Sequence, residues 1–299
     1  MTLKQQSPGK INLLLNILGR RADGFHELES VFHPVALYDT LSCQTTAQGL
    51  EFTCDDPRLP TDDRNLVCRA ARLFLAATGI TAGLRLHLEK RIPPGGGLGG
   101  GSGNAAHTLR GLNALFDRPL TDPQLHELAA RLGSDVPFFL QDRPALVTGR
   151  GEHIEPLDFF PGLRGRGLLL VHPGFGISTA WAYQQLARFP QALNGQPGRA
   201  RQLVERLQAG DSEPLAGALF NSLEAPVFAK YPVLALYQEF LRAHGALATL
   251  MSGSGSTTFA VVESIAHGKT LAAQFKRRFG STCWTAVVPL AGGDAEGAL

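Results

Sequence analysis

The feature that most constrains this chain is a run of seven glycines in nine positions, Gly95, Gly96, Gly97, Leu98, Gly99, Gly100, Gly101, Ser102 and Gly103. Each glycine costs backbone entropy on folding, so such density is kept where positive φ or close backbone approach is needed. Two well-patterned segments bracket the run. Ahead of it, Leu84, Leu86 and Leu88 alternate with Arg85, His87 and Glu89, the period of two of a half-exposed strand. Behind it, Ala105, Leu109, Leu112 and Phe116 recur at spacings of three and four, one face of a helix. A strand, a glycine loop and a helix in that order aim consecutive backbone N–H groups at an anion, and phosphate binding is the natural consequence. A flexible linker is the alternative, but linkers do not usually sit between two such segments.

The run is not a Walker-type loop. No Lys-Ser or Lys-Thr follows it, and Gly268-Lys269-Thr270 lacks the glycine required five places before Gly268. Gly95, Gly97 and Gly100 fit G-x-G-x-x-G, yet no acidic residue about 20 positions on ends a second strand, so a dinucleotide fold is a weak alternative.

A chain of 299 residues exceeds what one core usually supports, and two domains are expected. The Pro161, Gly162, Gly165, Gly167 stretch before a new apolar strand at Leu168–Val171 marks the boundary. The expected division is residues 1–162, residues 163–290 and a loose tail at 291–299. Ile11, Leu13, Leu15 and Ile17 alternate as an early strand with one apolar face. Amphipathic helices are expected near 179–189, 199–208, 230–243 and 265–279, with strands near 257–262 and 284–290, giving an α+β class. Twenty-eight basic against 26 acidic residues leave too even a balance for a nucleic-acid footprint, so no nucleic-acid partner is expected. Lys276, Arg277 and Arg278 end an apolar-periodic segment, where cations suit a helix C-terminus.

Cys43, Cys54, Cys68 and Cys283 show no zinc-ligand spacing and read as reduced thiols. No segment approaches the about 18 consecutive apolar residues of a membrane span, and Asn12 and Asn16 interrupt the N-terminal apolar run, so no signal peptide is expected either. A cytoplasmic protein with no membrane partner is the expectation, as a monomer or homodimer.

Phosphoryl transfer needs an oriented hydroxyl, positive charge on the transferring oxygens, and often a carboxylate to take the proton. Two glycine-containing turns offer these groups: Ser7-Pro8-Gly9-Lys10-Ile11-Asn12 and Leu132-Gly133-Ser134-Asp135-Val136-Pro137. Taken singly, Lys10 reads as a surface lysine and Asp135 as a helix cap. With the glycine run and Met251-Ser252-Gly253-Ser254-Gly255-Ser256-Thr257 they form an ordered set, spanning nearly the whole chain, that resembles the three motifs of the GHMP kinases. Pro93, Gly97, Leu98 and Gly99 match that superfamily's P-x-x-x-G-L-G signature. Gly253-Ser254-Gly255 matches its C-terminal glycine motif.

The resemblance implies a two-domain GHMP kinase fold: an N-terminal ribosomal-S5-domain-2-like domain and a C-terminal ferredoxin-like α+β domain. It implies ATP and Mg²⁺ as cofactors, with the nucleotide phosphates on Pro94 and Gly95 through Gly103 with Asn104, and with Asn65 near the adenine. Asp62, Asp63, Arg64 and Asn65 also read as an ordinary helix-capping loop. Asp135 would take the acceptor's proton, while Lys10 would polarise the hydroxyl and offset developing charge. Sequence marks no acidic ligand for the metal, which phosphate and water could hold.

The element Asp23-Gly24-Phe25-His26-Glu27-Leu28 resembles the members of the superfamily that phosphorylate the 2-hydroxyl of a cytidine-diphosphate methylerythritol in the non-mevalonate route to isoprenoid precursors. Homoserine and mevalonate kinases lack it. A cytosine pocket calls for aromatic planes and hydrogen-bonding groups, and by resemblance Phe25 and Tyr183 would sandwich the ring while His26 bonds its edge. Asn12, Thr179, Gly253 and Ser254 complete the substrate set. Tyr183 and Asn12 also have plainer readings, as core aromatic and as the exposed face of a strand. The sequence departs from the family where Phe25 replaces the commoner Tyr and where Gly103 stands in place of a frequent Ser. Another small-alcohol GHMP kinase and a non-catalytic nucleotide-binding relative are the rival readings.

Overall fold

A computed structural model describes residues 2–193, 196–210 and 215–290. The tail expected to be loose, 291–299, lies outside the described residues. The chain opens with strands β1 (Thr2–Arg20), β2 (His26–Thr46) and β3 (Leu50–Cys54), followed by helix α1 (Leu66–Thr78), strand β4 (Gly83–Glu89), and helices α2 (Gly100–Leu115) and α3 (Asp122–Leu132). Strands β5 (Ala145–Gly149), β6 (His153–Pro156) and β7 (Gly167–His172) come next, then helices α4 (Thr179–Gln185), α5 (Arg199–Gln208) and α6 (Leu215–Ala218). The two-residue strand β8 (Phe220–Asn221) precedes α7 (Glu224–Lys230) and α8 (Val233–Ala243). Strands β9 (Ala248–Met251) and β10 (Thr258–Val262), helix α9 (Ile265–Phe279) and strand β11 (Trp284–Pro289) are the last elements of the described residues.

By internal packing the chain forms two compact units. The first comprises Met1–Gly9, Leu37–Pro94 and Gly99–Asp142; the second comprises Lys10–Ala36, Gly95–Leu98 and Arg143–Leu299. Strands β1 and β2 and the glycine run each contribute to both units, so these units follow packing and not one cut of the chain.

In the first unit, Thr40–Thr46 of β2 run antiparallel to β4, and β3 lies parallel on the other side of β4. The alternation read from β4 is realised, with Leu84, Leu86 and Leu88 buried and Arg85 exposed. Helices α1 and α2 cover the apolar side, where Phe74 and Phe116 stack at 6.1 Å. Helix α1 begins on Asn65, whose side chain accepts from Val67 N, and closes on Gly79 at φ 70°. Helix α3 opens with a Thr121/Gln124 capping box.

In the second unit, β11, β7, β10 and β9 form an antiparallel sheet in that order. With α8 and α9 this gives the strand–helix–strand–strand–helix–strand pattern of the expected ferredoxin-like domain. Helix α9 buries Leu271 and Phe275, and its last turn carries Lys276, Arg277 and Arg278 beside the unpaired carbonyls. The expected single apolar face of β1 is corrected: Ile11, Leu13, Leu15 and Ile17 are buried, and so are Asn12, Leu14 and Asn16. The two asparagines are tolerated inside because each has partners, Asn12 with Lys10 and Ser30 and Asn16 with Glu29. No helix among the described residues is long and apolar enough to cross a membrane.

Candidate active site

The glycine run is not a loop throughout, as the sequence reading had it. Gly95, Gly97 and Gly99 have φ of 69°, 77° and 68°, and Gly99 is the left-handed N-cap of α2. Gly100, Gly101, Ser102, Gly103 and Asn104 already form the first turns of the helix, with Gly103 N bonded to Gly99 O at 2.9 Å. Crowding explains the glycine at 103: a Cβ there would lie 2.8 Å from Pro8 O and 2.9 Å from the Ser7 hydroxyl. The departure from serine at this position thus has a steric basis in the present chain.

Within the second unit, Gly95–Leu98 lies directly on the C-terminal glycine turn. Thr257 N donates to Gly96 O at 3.1 Å, the Ser252 hydroxyl donates to Gly97 O at 2.9 Å, and Lys10 N donates to Leu98 O at 2.8 Å. A Cβ on Gly97 would stand 2.0 Å from Ser252 O, so no other residue fits. Motifs more than 150 residues apart, Gly95–Leu98 and Ser252–Thr257, are therefore one structural element.

Lys10 joins the same element. Its side chain is buried, and Nζ donates to Asn12 Oδ1 at 2.6 Å while lying 4.5 Å from the centre of the Phe32 ring. Asn12 Nδ2 donates to the Ser30 hydroxyl at 3.0 Å. The reading of Asn12 as the exposed face of a strand is corrected: it is 2% exposed, and its amide orients the Lys10 ammonium. Lys10 is likewise no surface lysine. A Cβ on Gly253 would lie 3.5 Å from Asn12 Oδ1, which puts the turn beside this pair.

The aromatic residues expected around the cytosine, Phe25, His26 and Tyr183, all belong to the second unit. Phe25, 58% exposed, sits on a turn held by Arg21 N to Phe25 O at 2.8 Å and by Phe25 N to Asp23 Oδ1 at 3.1 Å. The Arg150 guanidinium lies 5.0 Å from its ring centre. Tyr183 meets the His26 ring, with centroids 5.2 Å apart and planes at 48°. Burial, aided by the charge of Arg20, lowers the His26 pKa. Thr179, the first residue of α4, shares a 2.8 Å hydrogen bond between its hydroxyl and that of Ser254, bringing two predicted substrate residues together.

The first unit holds Asp135, half-buried in the turn before the short 3-10 helix Pro137–Leu140. Asp135 does not cap that helix, whose N-cap is Val136. Pro94 is half-buried in the turn that leaves the β4 side. Asn65 spends its amide on structure: Oδ1 accepts from Val67 N at 3.0 Å and Nδ2 donates to Pro60 O at 2.9 Å.

A buried polar cluster in this unit escaped the sequence reading. Asp39 Oδ1 accepts from Arg91 N at 2.7 Å and Ile92 N at 2.9 Å, and Oδ2 from Lys90 Nζ and from Asn104 Nδ2 at 3.0 Å. Asn104 also donates to Ser7 Oγ at 3.2 Å. The cluster fixes the end of β4 and the start of α2, and its signal in sequence was an aspartate closing the apolar Val35–Tyr38 stretch. The described residues contain no group of three or more His, Cys, Asp or Glu placed to hold a metal ion.

Residues 65–143 match the GHMP kinases N terminal domain and residues 199–281 the GHMP kinases C terminal domain. Fold and glycine turns are thus those of an ATP-using GHMP kinase. A 4-diphosphocytidyl-2-C-methyl-D-erythritol kinase of Pelotomaculum thermopropionicum is 40% identical over 278 residues, 93% of this chain and 95% of that protein. One of Synechococcus is 42% identical over 262 residues, 86% of this chain and 84% of its own. A crystal structure of 4-(cytidine 5'-diphospho)-2C-methyl-D-erythritol kinase superposes with a TM-score of 0.80 at 36% identity, covering 96% of this chain and 99% of that one. The chain belongs to the 4-diphosphocytidyl-2-C-methyl-D-erythritol kinase family. Homoserine kinase from Cytophaga hutchinsonii, at 20% identity and a TM-score of 0.75 over 97% of this chain and 96% of that one, shares the fold.

Proposed function

We propose that this chain transfers the γ-phosphoryl group of ATP to the 2-hydroxyl of 4-diphosphocytidyl-2-C-methyl-D-erythritol, a step toward isoprenoid precursors by the non-mevalonate route. The observation that carries the reading is the joining of Gly95–Leu98, the Ser252–Thr257 turn and the buried Lys10 into one hydrogen-bonded element. Backbone N–H groups along Gly95–Gly103 hold the nucleotide phosphates, and the positive φ of Gly95, Gly97 and Gly99 leaves no side chain in their way. Mg²⁺, when bound, would neutralise phosphate charge, with phosphate oxygens and water supplying its ligands.

Lys10, oriented by Asn12, polarises the acceptor hydroxyl and offsets the charge that develops on transfer. Asp135 receives the proton. Phe25 and Tyr183 hold the cytosine between their rings, His26 bonds its edge, and Thr179, Gly253 and Ser254 contact the acceptor. Phosphate binding belongs to a functional domain at 1–162 and the Thr179, Tyr183 and Ser254 contacts to one at 163–290.

The test is ADP release from Mg²⁺-ATP with the cytidylated acceptor, alongside homoserine, mevalonate and no acceptor. Turnover with the cytidylated acceptor alone supports the reading, and turnover only with another alcohol refutes its substrate. Lys10→Ala lowers kcat by roughly 10²–10⁴; near-normal turnover would remove Lys10 from the mechanism.

A further inference from the structure

The acceptor-side turn Gly253–Ser254 is gripped from below by a segment that no motif marks. Strand β8 lies parallel to β1, with Phe220 opposite Leu14 and Asn221 opposite Leu15, and Ser222 N donates to Leu15 O at 2.9 Å. This tie fixes Asn221 against the strand that also carries Lys10 and Asn12. The Asn221 side chain, on a residue 3% exposed, donates both hydrogens of Nδ2, to Met251 O at 2.7 Å and to Gly253 O at 2.8 Å. Its Oδ1 accepts from Leu223 N at 2.9 Å, so the amide cannot rotate without losing a bond. Three residues on, Glu224 Oε1 accepts from Met251 N at 2.8 Å and from Gln238 Nε2 at 2.6 Å. One four-residue segment thus holds both backbone groups of Met251 and the carbonyl of Gly253.

We infer that Asn221 is a positioning residue for the acceptor: it sets where Gly253 and Ser254 stand, and through them the Ser254–Thr179 hydroxyl pair. The inference rests on the reading of Gly253 and Ser254 as acceptor contacts. The neighbouring attachments of the turn to the phosphate side, Ser252 Oγ to Gly97 O and Thr257 N to Gly96 O, do not pass through Asn221. Loss of the Asn221 amide therefore acts on the acceptor and spares the nucleotide. A residue that only supported the fold would lower the active fraction, and with it kcat, and would leave both KM values unchanged.

The experiment compares steady-state kinetics of Asn221→Ala, Ser254→Ala and Ser222→Ala in the full chain. Ser222→Ala is the control, since it removes only the 2.9 Å bond from Ile17 N to Ser222 Oγ in the same segment. The expected result is an acceptor KM raised about tenfold in Asn221→Ala and several-fold in Ser254→Ala, with ATP KM changed less than about twofold and Ser222→Ala normal in both. Should Asn221→Ala not fold, Asn221→Ser, which keeps one donor, carries the same readout. A rise in Ser254→Ala with none in the Asn221 variant overturns the inference and keeps the acceptor reading. No rise in either overturns both, and an equal rise in Ser222→Ala assigns the effect to general loosening and overturns the inference.

Discussion

Gly95–Leu98 and Gly99–Gly103 are consecutive in the chain and glycine-rich alike, yet glycine serves different ends in them. In the first part it is demanded twice at Gly97, by a φ of 77° and by a backbone carbonyl 2.0 Å from where Cβ would be. In the second part the backbone is helical after Gly99, and only proximity matters: Gly103 is crowded by Pro8 O and Ser7, Gly100 by Ile92 and Lys90, whereas Gly101 meets nothing nearer than Leu66 at 3.9 Å. A single composition-based label for the run conceals a gradient from indispensable to replaceable. That gradient can be measured.

Gly97→Ala is expected to have the largest effect, because both the conformation and the space are lost. Unfolding free energy should fall by about 3 kcal/mol or more, and misplacement of the phosphate loop should cut kcat/KM by roughly 10²-fold. Denaturant titration and ADP-release kinetics read the two quantities. An active, stable Gly97→Ala protein would break the distinction between the two parts.

The support beneath the first part gives a pH signature. Burial pushes the Glu224 carboxyl up to about 7, with the hydrogen bonds from Met251 N and Gln238 only partly opposing it. A carboxyl whose folded pKa exceeds its unfolded value adds stability that is full below the unfolded pKa and is lost as pH rises through the folded one. Stability should therefore fall by up to about 3 kcal/mol between pH ~5 and ~8. Glu224→Gln should flatten that slope in thermal melts, and an unchanged slope would assign it elsewhere.

Asn65 tests the first unit on a smaller scale. Its amide is fully used as a cap, so Asn65→Ala should cost about 1 kcal/mol. If Asn65 also meets the adenine, the ATP KM rises beyond what Asn65→Asp, which keeps the cap, produces. The smallest effect belongs to Gly101→Ala: an exposed helical position that no protein atom crowds should gain about 0.5–1 kcal/mol of stability in denaturant titration. A loss there would mean that the helical part is as constrained as Gly97.

The elements legible in the sequence were those whose signal is local. The alternation of Leu84, Leu86 and Leu88, the spacing of Ala105 to Phe116 and the basic end of α9 each report on neighbours a few residues away, and each is realised. The start of α2 was not legible, because glycine carries little helical preference, while the space that excludes a side chain at Gly100 and Gly103 is set by Ile92, Pro8 and Ser7, distant in sequence. Both faces of β1 are buried because Asn12 and Asn16 find partners in β2, which periodicity cannot show. Within the site, Lys10, Gly97 and Gly253 were legible as motif members, while Asn221, Asp39 and Lys90 act across 30 to 65 residues as lone polar groups without a pattern of their own.

The central claim is that this chain places a phosphoryl group on the 2-hydroxyl of a cytidylated sugar alcohol. It is tested most directly by incubating the protein with Mg²⁺-ATP and 4-diphosphocytidyl-2-C-methyl-D-erythritol and following the phosphorus resonances of the products. The account predicts one new phosphomonoester signal, coupled to the 2-position and formed in step with ADP, while the diphosphate bridge stays intact. ADP without a new phosphomonoester, or a phosphomonoester formed only from homoserine or mevalonate, would contradict it.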